Sequence, residues 1–246
     1  MIPYKNPPIV EAILDIRAVL PPDIFLSHLQ AFQDVVKVDY PLKKERRFLE
    51  GGVQFKSGSA PEFKVSPEKI DGFLFHAADN KSIVQARLDG FTFNKLHPYS
   101  NWEQFSAEAK RLWAEYVKVA KPMSVSRVAL RYINRIELPV PFVDFKEYVR
   151  TIPEVASGIP QGLGSFFVRL VIPNEEIGAT AIVTETIEPV QPGTNKLPLM
   201  FDIDVFKDVS LSPTAPEVWA IMDKLRGYKN QIFDKSLTDK TKEFFK

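Results

Sequence analysis

Along residues 9–20 apolar and polar side chains alternate. Val10, Ala12, Leu14, Ile16, Ala18 and Leu20 share one parity, and Glu11, Asp15 and Arg17 share the other. A period of two over this length predicts a half-buried strand. Pro21 and Pro22 stop it, and Asp23 is placed to open a helix. The period then changes: Phe25, Leu29, Phe32 and Val36 recur at helical spacing. The charged stretch PLKKERRFLEGG reads as a loop. Beyond it GVQFKSG reads as a strand, and FKV either extends it or stands alone. GFLFHA, SIVQARL and FTFNKL then form an antiparallel meander, punctuated at Asp79-Asn80 and Asp89-Gly90.

The clearest helix follows Pro98. Ser100 and Glu103 stand at capping-box spacing, and Trp102, Phe105, Ala109, Leu112, Trp113, Tyr116 and Ala120 make a broad apolar stripe up to Lys121-Pro122. The second half starts with another strand, SRVALRYINRIEL, followed by Pro139 and Pro141. A short helix, VDFKEYVRTI, has Asp144 near its start, and the Gly/Pro-rich PEVASGIPQGLG reads as a surface loop. SFFVRLVIP, GATAIVTETIE and LMFDIDVF read as strands, the last reached through the linker PVQPGTNKLP. A long helix runs from about Pro216 to Phe233 with Trp219, Met222, Leu225 and Ile232 on one face. SLTDKTKEFF is a final turn capped by Ser236 or Thr238, with Phe244 and Phe245 tucked back.

The order strand, helix, antiparallel strands, helix thus occurs twice. Strands grouped between helices predict an α+β fold in place of a parallel α/β sheet. The expected architecture is one domain over residues 1–246, with pseudo-repeat halves of approximately 1–121 and 122–246. A curved antiparallel sheet would carry the two long helices on one face, in a TATA-binding-protein-like or helix-grip-like layout. Likeness of layout carries no function by itself.

Composition narrows the chemistry. Thirty-two basic residues stand against thirty-one acidic ones, a net charge of +1, without the excess usual in nucleic-acid binders. The chain has no cysteine, which excludes disulfides, thiolate nucleophiles, cysteine zinc sites and iron–sulfur clusters. The N-terminal stretch MIPYKNPPIVEAI lacks the apolar core of a signal peptide, and no run of about 18 apolar residues exists to span a membrane. The expected location is cytoplasmic.

Four stretches carry a family resemblance: NPPIVEAILDIR, RLDGFTFNKLHPYSNWEQF, RVALRYINRIELP and SLTDKTKEFF. Together they resemble a sporadically distributed prokaryotic family of uncharacterised proteins of about this length, with no assigned activity. The resemblance covers nearly the whole chain. It implies a single domain and supplies no catalytic residue.

Candidate chemistry centres on Arg127, Arg131 and Arg135. At about 3.3 Å per residue they lie on one strand face, roughly 13 Å apart, with Ala129 and Ile133 between them. Val128, Leu130, Tyr132, Ile136 and Leu138 take the core face, with Asn134 a polar intruder. One reading is an anion-recognising sheet face, since a guanidinium donates paired hydrogen bonds to phosphate or carboxylate. Arg87 and Lys95, with Phe91 and Phe93, and Arg169 from a neighbouring strand would extend it. The other reading is internal: Glu11 and Asp15 pair with Arg131 and Arg127 across the strands. Asp202 and Asp204 share a strand face and are weak candidates for a metal or for acid–base work. His28 is expected to face solvent, His76 shares a strand face with Leu74, and His97 precedes Pro98. No two-histidine motif, P-loop, Rossmann fingerprint or nucleophile elbow occurs. The locally basic LKKERRF and KSLTDKTKEFFK read as solvated charge, and Trp102, Trp113 and Trp219 as core aromatics. No catalytic motif is recognisable and no cofactor is expected.

The function class this favours is a non-enzymatic binding or interaction module for a protein partner or a small anionic ligand. The rivals are an enzyme acting on a phosphate-bearing small molecule or nucleotide, and a saddle-like nucleic-acid binder. An exposed strand edge would allow a homodimer.

Overall fold

The computed structural model describes residues 4–48, 51–54, 62–65, 69–190 and 193–246. The strands of the first half are β1 (Ile9–Val19), β2 (Leu42–Phe48), β3 (Gly51–Gln54), β4 (Glu62–Val65), β5 (Lys69–His76), β6 (Ser82–Arg87) and β7 (Gly90–Leu96). Those of the second half are β8 (Ser124–Pro139), β9 (Phe167–Asn174), β10 (Ala179–Ile187) and β11 (Lys196–Leu211). The helices are α1 (Leu26–Gln30), α2 (Phe32–Val36), α3 (Trp102–Ala120), α4 (Glu217–Ser236) and the single turn α5 (Asp239–Lys242). Nine strands form one sheet in the order β2-β5-β6-β7-β1-β8-β11-β10-β9, antiparallel throughout, and β3 pairs with β4 alone. The α+β class with a large antiparallel sheet is the one the grouping of strands predicts.

The first strand of each half lies at the centre, β1 against β8, and the sheet grows outward from each through its hairpins. Alternation fixes which face is which. Ala12, Leu14, Ile16 and Ala18 of β1 and Val128, Leu130, Tyr132, Ile136 and Leu138 of β8 are all buried. Each larger side chain of this set stabilises the fold by about 1.5–3 kcal/mol through burial. α3 covers β7, where Phe93 stacks on Phe105 at 5.3 Å and Phe91 meets Trp113 at 5.8 Å. α4 covers β8 and β11, while α1 lies against β5 and β6. The helices therefore share one face and leave the other open. Among the described residues no helix is long and apolar enough to cross a membrane.

Several boundaries differ from the sequence reading. Leu42–Phe48, read as loop, is a strand, because a sheet edge tolerates charge on both parities and lysine-rich edges discourage further pairing. The helix expected from Asp23 starts after Phe25, which is 60% exposed, and breaks into α1 and α2 around Ala31. Asn101 caps α3 in place of Ser100, its side chain accepting from the Gln104 amide at 2.8 Å. VDFKEYVRTI holds only a 3-10 turn, Phe145–Glu147, with Asp144 as cap. Thr238 caps α5; Phe245 is buried, whereas Phe244 is 40% exposed. Residues 55–58 of the GVQFKSG stretch and 191–192 of the linker lie outside the described residues.

The two sheet edges contrast. β2 presents Lys43, Lys44, Glu45, Arg46 and Arg47, while β9 leaves Phe167, Leu170, Val171 and Ile172 exposed.

Candidate functional site

The open face is built by parity. On β8 it carries Arg127, Arg131 and Arg135, with Ala129 and Ile133 between them. On β1 it carries Glu11, Ile13, Asp15 and Arg17. The hairpin joining β6 to β7 has a two-residue turn, Leu88-Asp89, so Arg87 pairs with Gly90 and Gln85 with Thr92. Odd positions before the turn therefore share a face with even positions after it. Thr92 and Asn94 join the polar face, whereas Phe91, Phe93 and Lys95 go to the helix side. The expectation that Lys95 and these two phenylalanines extend the arginine face is corrected accordingly, and Lys95 donates to Ser82 Oγ at 3.3 Å. Gly90 makes the geometry feasible: its φ is +146°, and a Cβ there would lie 2.2 Å from the Ile16 carbonyl oxygen.

Asp15 is the hub. Its Oδ1 accepts from Arg87 Nη1 at 2.8 Å and from Thr92 Oγ1 at 2.7 Å. Its Oδ2 lies 3.7 Å from Arg127 and 3.8 Å from Arg17. Arg87 is only 5% exposed and also donates to Asp89 at 2.8 Å. Burial opposes the Arg87 charge, but Asp15 and Asp89 more than offset it and raise its pKa. Arg127 stacks over Phe206 at 4.2 Å, the aromatic partner on this face.

The internal pairing expected of Glu11 with Arg131 does not form as a direct contact. Register places Ile13 and Asp204, not Glu11, opposite Arg131. Arg131 instead clamps Asp202, through Nε at 2.9 Å and Nη2 at 2.6 Å, while Glu11 accepts from Asn94 at 2.7 Å. Arg135 pairs with Glu137 and, at 3.3 Å, with Glu188. Arg169 lies on the same face but on edge strand β9, across from Thr184. Asp202 and Asp204 share the face, as their spacing predicts, with Asp204 3.8 Å from Arg127. Burial raises the Asp204 pKa despite Arg127 and Arg131. Among the described residues no group of three or more His, Asp and Glu side chains is placed to hold a metal ion.

These side chains surround a concavity of about 220 Å³ at the middle of the open face. Its wall holds five guanidiniums, Arg17, Arg46, Arg87, Arg127 and Arg131, against two carboxylates, Asp15 and Asp204. Arg87 Nη2 and Asp15 Oδ2 are buried there without a hydrogen-bond partner. Arg46 is the residue the sequence reading missed, hidden in a stretch read as loop. It reaches Asp71 and, at 3.2 Å, Gln85. Arg17 was legible by parity but stood apart from the arginines of residues 127–135.

The histidines stand outside this constellation. His28 Nδ1 accepts from the Phe25 amide at 3.1 Å, helping start α1. His76 is held below its usual pKa by burial and Lys44. On the helix side, Glu185 is 1% exposed, has an unpartnered Oε2, and is pushed up to about 7 by burial.

No family model matches the chain, and no curated protein matches it.

Proposed function

We propose that the protein is a non-catalytic binding module that takes an anionic group in the concavity of its open sheet face. The observation that carries this is the convergence of five guanidiniums from β1, β2, β6 and β8 on one recess with two wall carboxylates. Each arginine has a carboxylate partner, which holds its fork in place. Arg131 remains 46% exposed and Arg17 48% exposed on their side chains, which leaves both guanidiniums open to an anion in the recess. A charge-assisted hydrogen bond contributes about 1.5–3 kcal/mol, so two or three set affinity near the millimolar to micromolar range. Inorganic phosphate and sulfate, titrated by calorimetry, provide the test. Arg46→Ala and Arg131→Ala together are expected to weaken binding at least about tenfold, one lost charge-assisted contact being worth that much. Unchanged binding by a folded double variant would sink the assignment.

The enzyme reading would require Asp202 released from Arg131, with metal-dependent hydrolysis of phosphate esters as its signature. The nucleic-acid reading is disfavoured by the +1 net charge and by the internal pairing of the arginines. Membership in the prokaryotic family resembled above, a cytoplasmic location and descent of the two halves by duplication belong to the same proposal. The last is supported by the central β1–β8 pair and the like strand order on either side of it. The homodimer expectation rests on the apolar edge strand β9, and sedimentation velocity across a concentration series decides it.

A further inference from the structure

The opposite face of the sheet holds a second, differently built cavity of about 360 Å³. It lies between α4, the start of α3, β8 and the N-terminal segment from Tyr4 to Ile9. Its walls include Trp102, Tyr132 and Phe233. Two cations from successive turns of α4 enter it. Arg226 sits at the mouth, 40% exposed on its side chain, with its guanidinium 5.5 Å from the Trp102 ring and 4.0 Å from Glu103. Lys229 lies deeper, 8% exposed, with its amine 3.8 Å over the Tyr132 ring. Among the described residues no carboxylate lies within ion-pair distance of that amine and no hydrogen bond engages it.

A buried ammonium is costly unless a counter-charge or hydrogen-bond acceptor meets it. A ring face supplies only part of that compensation. Here the uncompensated amine borders a cavity large enough for a small ligand, beside a second cation and between aromatic walls. We propose that this pocket binds a small organic carboxylate, its charged end held by Lys229 and Arg226 and its aromatic or apolar body against Trp102, Tyr132 and Phe233. The site is separated from the arginine concavity by the thickness of the sheet and does not depend on it.

The electrostatics add a signature. Burial, helped by Arg226, lowers the Lys229 pKa to about 7. The other ionisable neighbours are Tyr132 on β8, Tyr99 before α3, Tyr4 in the N-terminal segment, Glu103 on α3 and Asp223 on α4. Burial raises all three phenols, so they stay protonated near neutrality. Asp223 is engaged by Trp102 Nε1 at 2.9 Å. A bound carboxylate favours the charged amine, so binding above pH 7 takes up a proton at Lys229, and affinity falls as the pH rises further.

Calorimetry with indole-3-acetate and 3-phenylpropionate, beside their neutral amides, tests this in buffers of different ionisation enthalpy. The acids are expected to bind at least about tenfold more tightly than the amides, the worth of one charge-assisted contact. Proton uptake approaches one at pH 8 and vanishes at pH 6. Lys229→Met abolishes the acid preference, whereas Arg131→Ala leaves it unchanged. In the wild-type protein, a ligand-induced rise of the Lys229 titration midpoint by NMR gives the same answer without relying on any variant. Equal binding of acid and amide, an unmoved Lys229 midpoint, or no binding of either acid at about 5 mM, where a weak contact still registers, would overturn the proposal.

Discussion

Arg87 and Lys229 are buried to nearly the same depth, at 5% and 8% exposure, on opposite faces of one sheet. Arg87 sits among two carboxylates and a threonine hydroxyl. Lys229 has a phenol ring below it and an arginine one turn away. The guanidinium keeps its charge, and the amine is brought close to losing it at neutral pH. Depth alone therefore does not decide the state of a buried cation. A delocalised fork can satisfy several acceptors and remain charged, whereas a compact ammonium without acceptors shifts. One face of this sheet is a finished ion-pair lattice with a gap in it, and the other carries a charge still lacking a partner.

The contrast breaks hardest at Arg87. Arg87→Ala leaves the largely buried Asp15 with Thr92 as its one direct hydrogen-bond donor and with Arg127 and Arg17 at 3.7 and 3.8 Å, and is expected to cost about 3 kcal/mol, read as a shift in the urea midpoint. Arg87→Lys is not expected to restore stability, since one ammonium cannot serve both Asp15 and Asp89 in the same planar geometry. A loss below about 1 kcal/mol would mean that water already supports Asp15.

Lys229→Met sharpens the other side of the comparison. The folded-state pKa lies below the ordinary 10.5, at about 7. The unfolded chain thus binds more protons between these values, and wild-type stability rises with pH across that window. Below pH 7 the full penalty stands, of order a few kcal/mol at about 1.4 kcal/mol per pH unit. The variant is expected to be the more stable protein at pH 6, and its advantage should shrink steadily as the pH approaches 10.5. Denaturation curves at four or five pH values check this, and a pH-independent gap would contradict the desolvated state of the amine.

The smallest effect is expected at the surface of the lattice. Asp202→Ala frees Arg131, but that side chain is 46% exposed, so water and salt replace most of what is lost. The expected cost is about 0–1 kcal/mol, decreasing with added salt. A thermal melt at low and high ionic strength distinguishes this from a buried pair.

Alternation along β1 and β8 is clear, Asn134 apart, because one face packs under the helices and the other is open, so the central strands and their arginine face were legible in the sequence. The apolar stripe of α3 was equally plain: every residue named for it is buried. Other features depend on pairing. β2 has no alternation to read, since an edge strand is not sorted by burial, and Arg46 vanished with it. Counting by parity alone puts Lys95 on the arginine face, and the two-residue turn reverses that parity. Nothing in the sequence marks Lys229, since lysine on a helix is ordinarily solvated. Only the packing of α4 on Tyr132 shows that this one is not. Partner choice at Arg131 turned on a register that places Ile13, not Glu11, opposite it.

The central β1–β8 pair also has a kinetic meaning. Leu14 lies against Leu130 and Ile16 against Val128, so the sheet's middle joins the start of the chain to its midpoint, across 116 and 112 positions. Hairpins such as β6–β7 close quickly, but β1 has one bare edge until β8 arrives. During synthesis the first half waits with its best strand half-paired, and that interval is when a chaperone or a misplaced strand would find it.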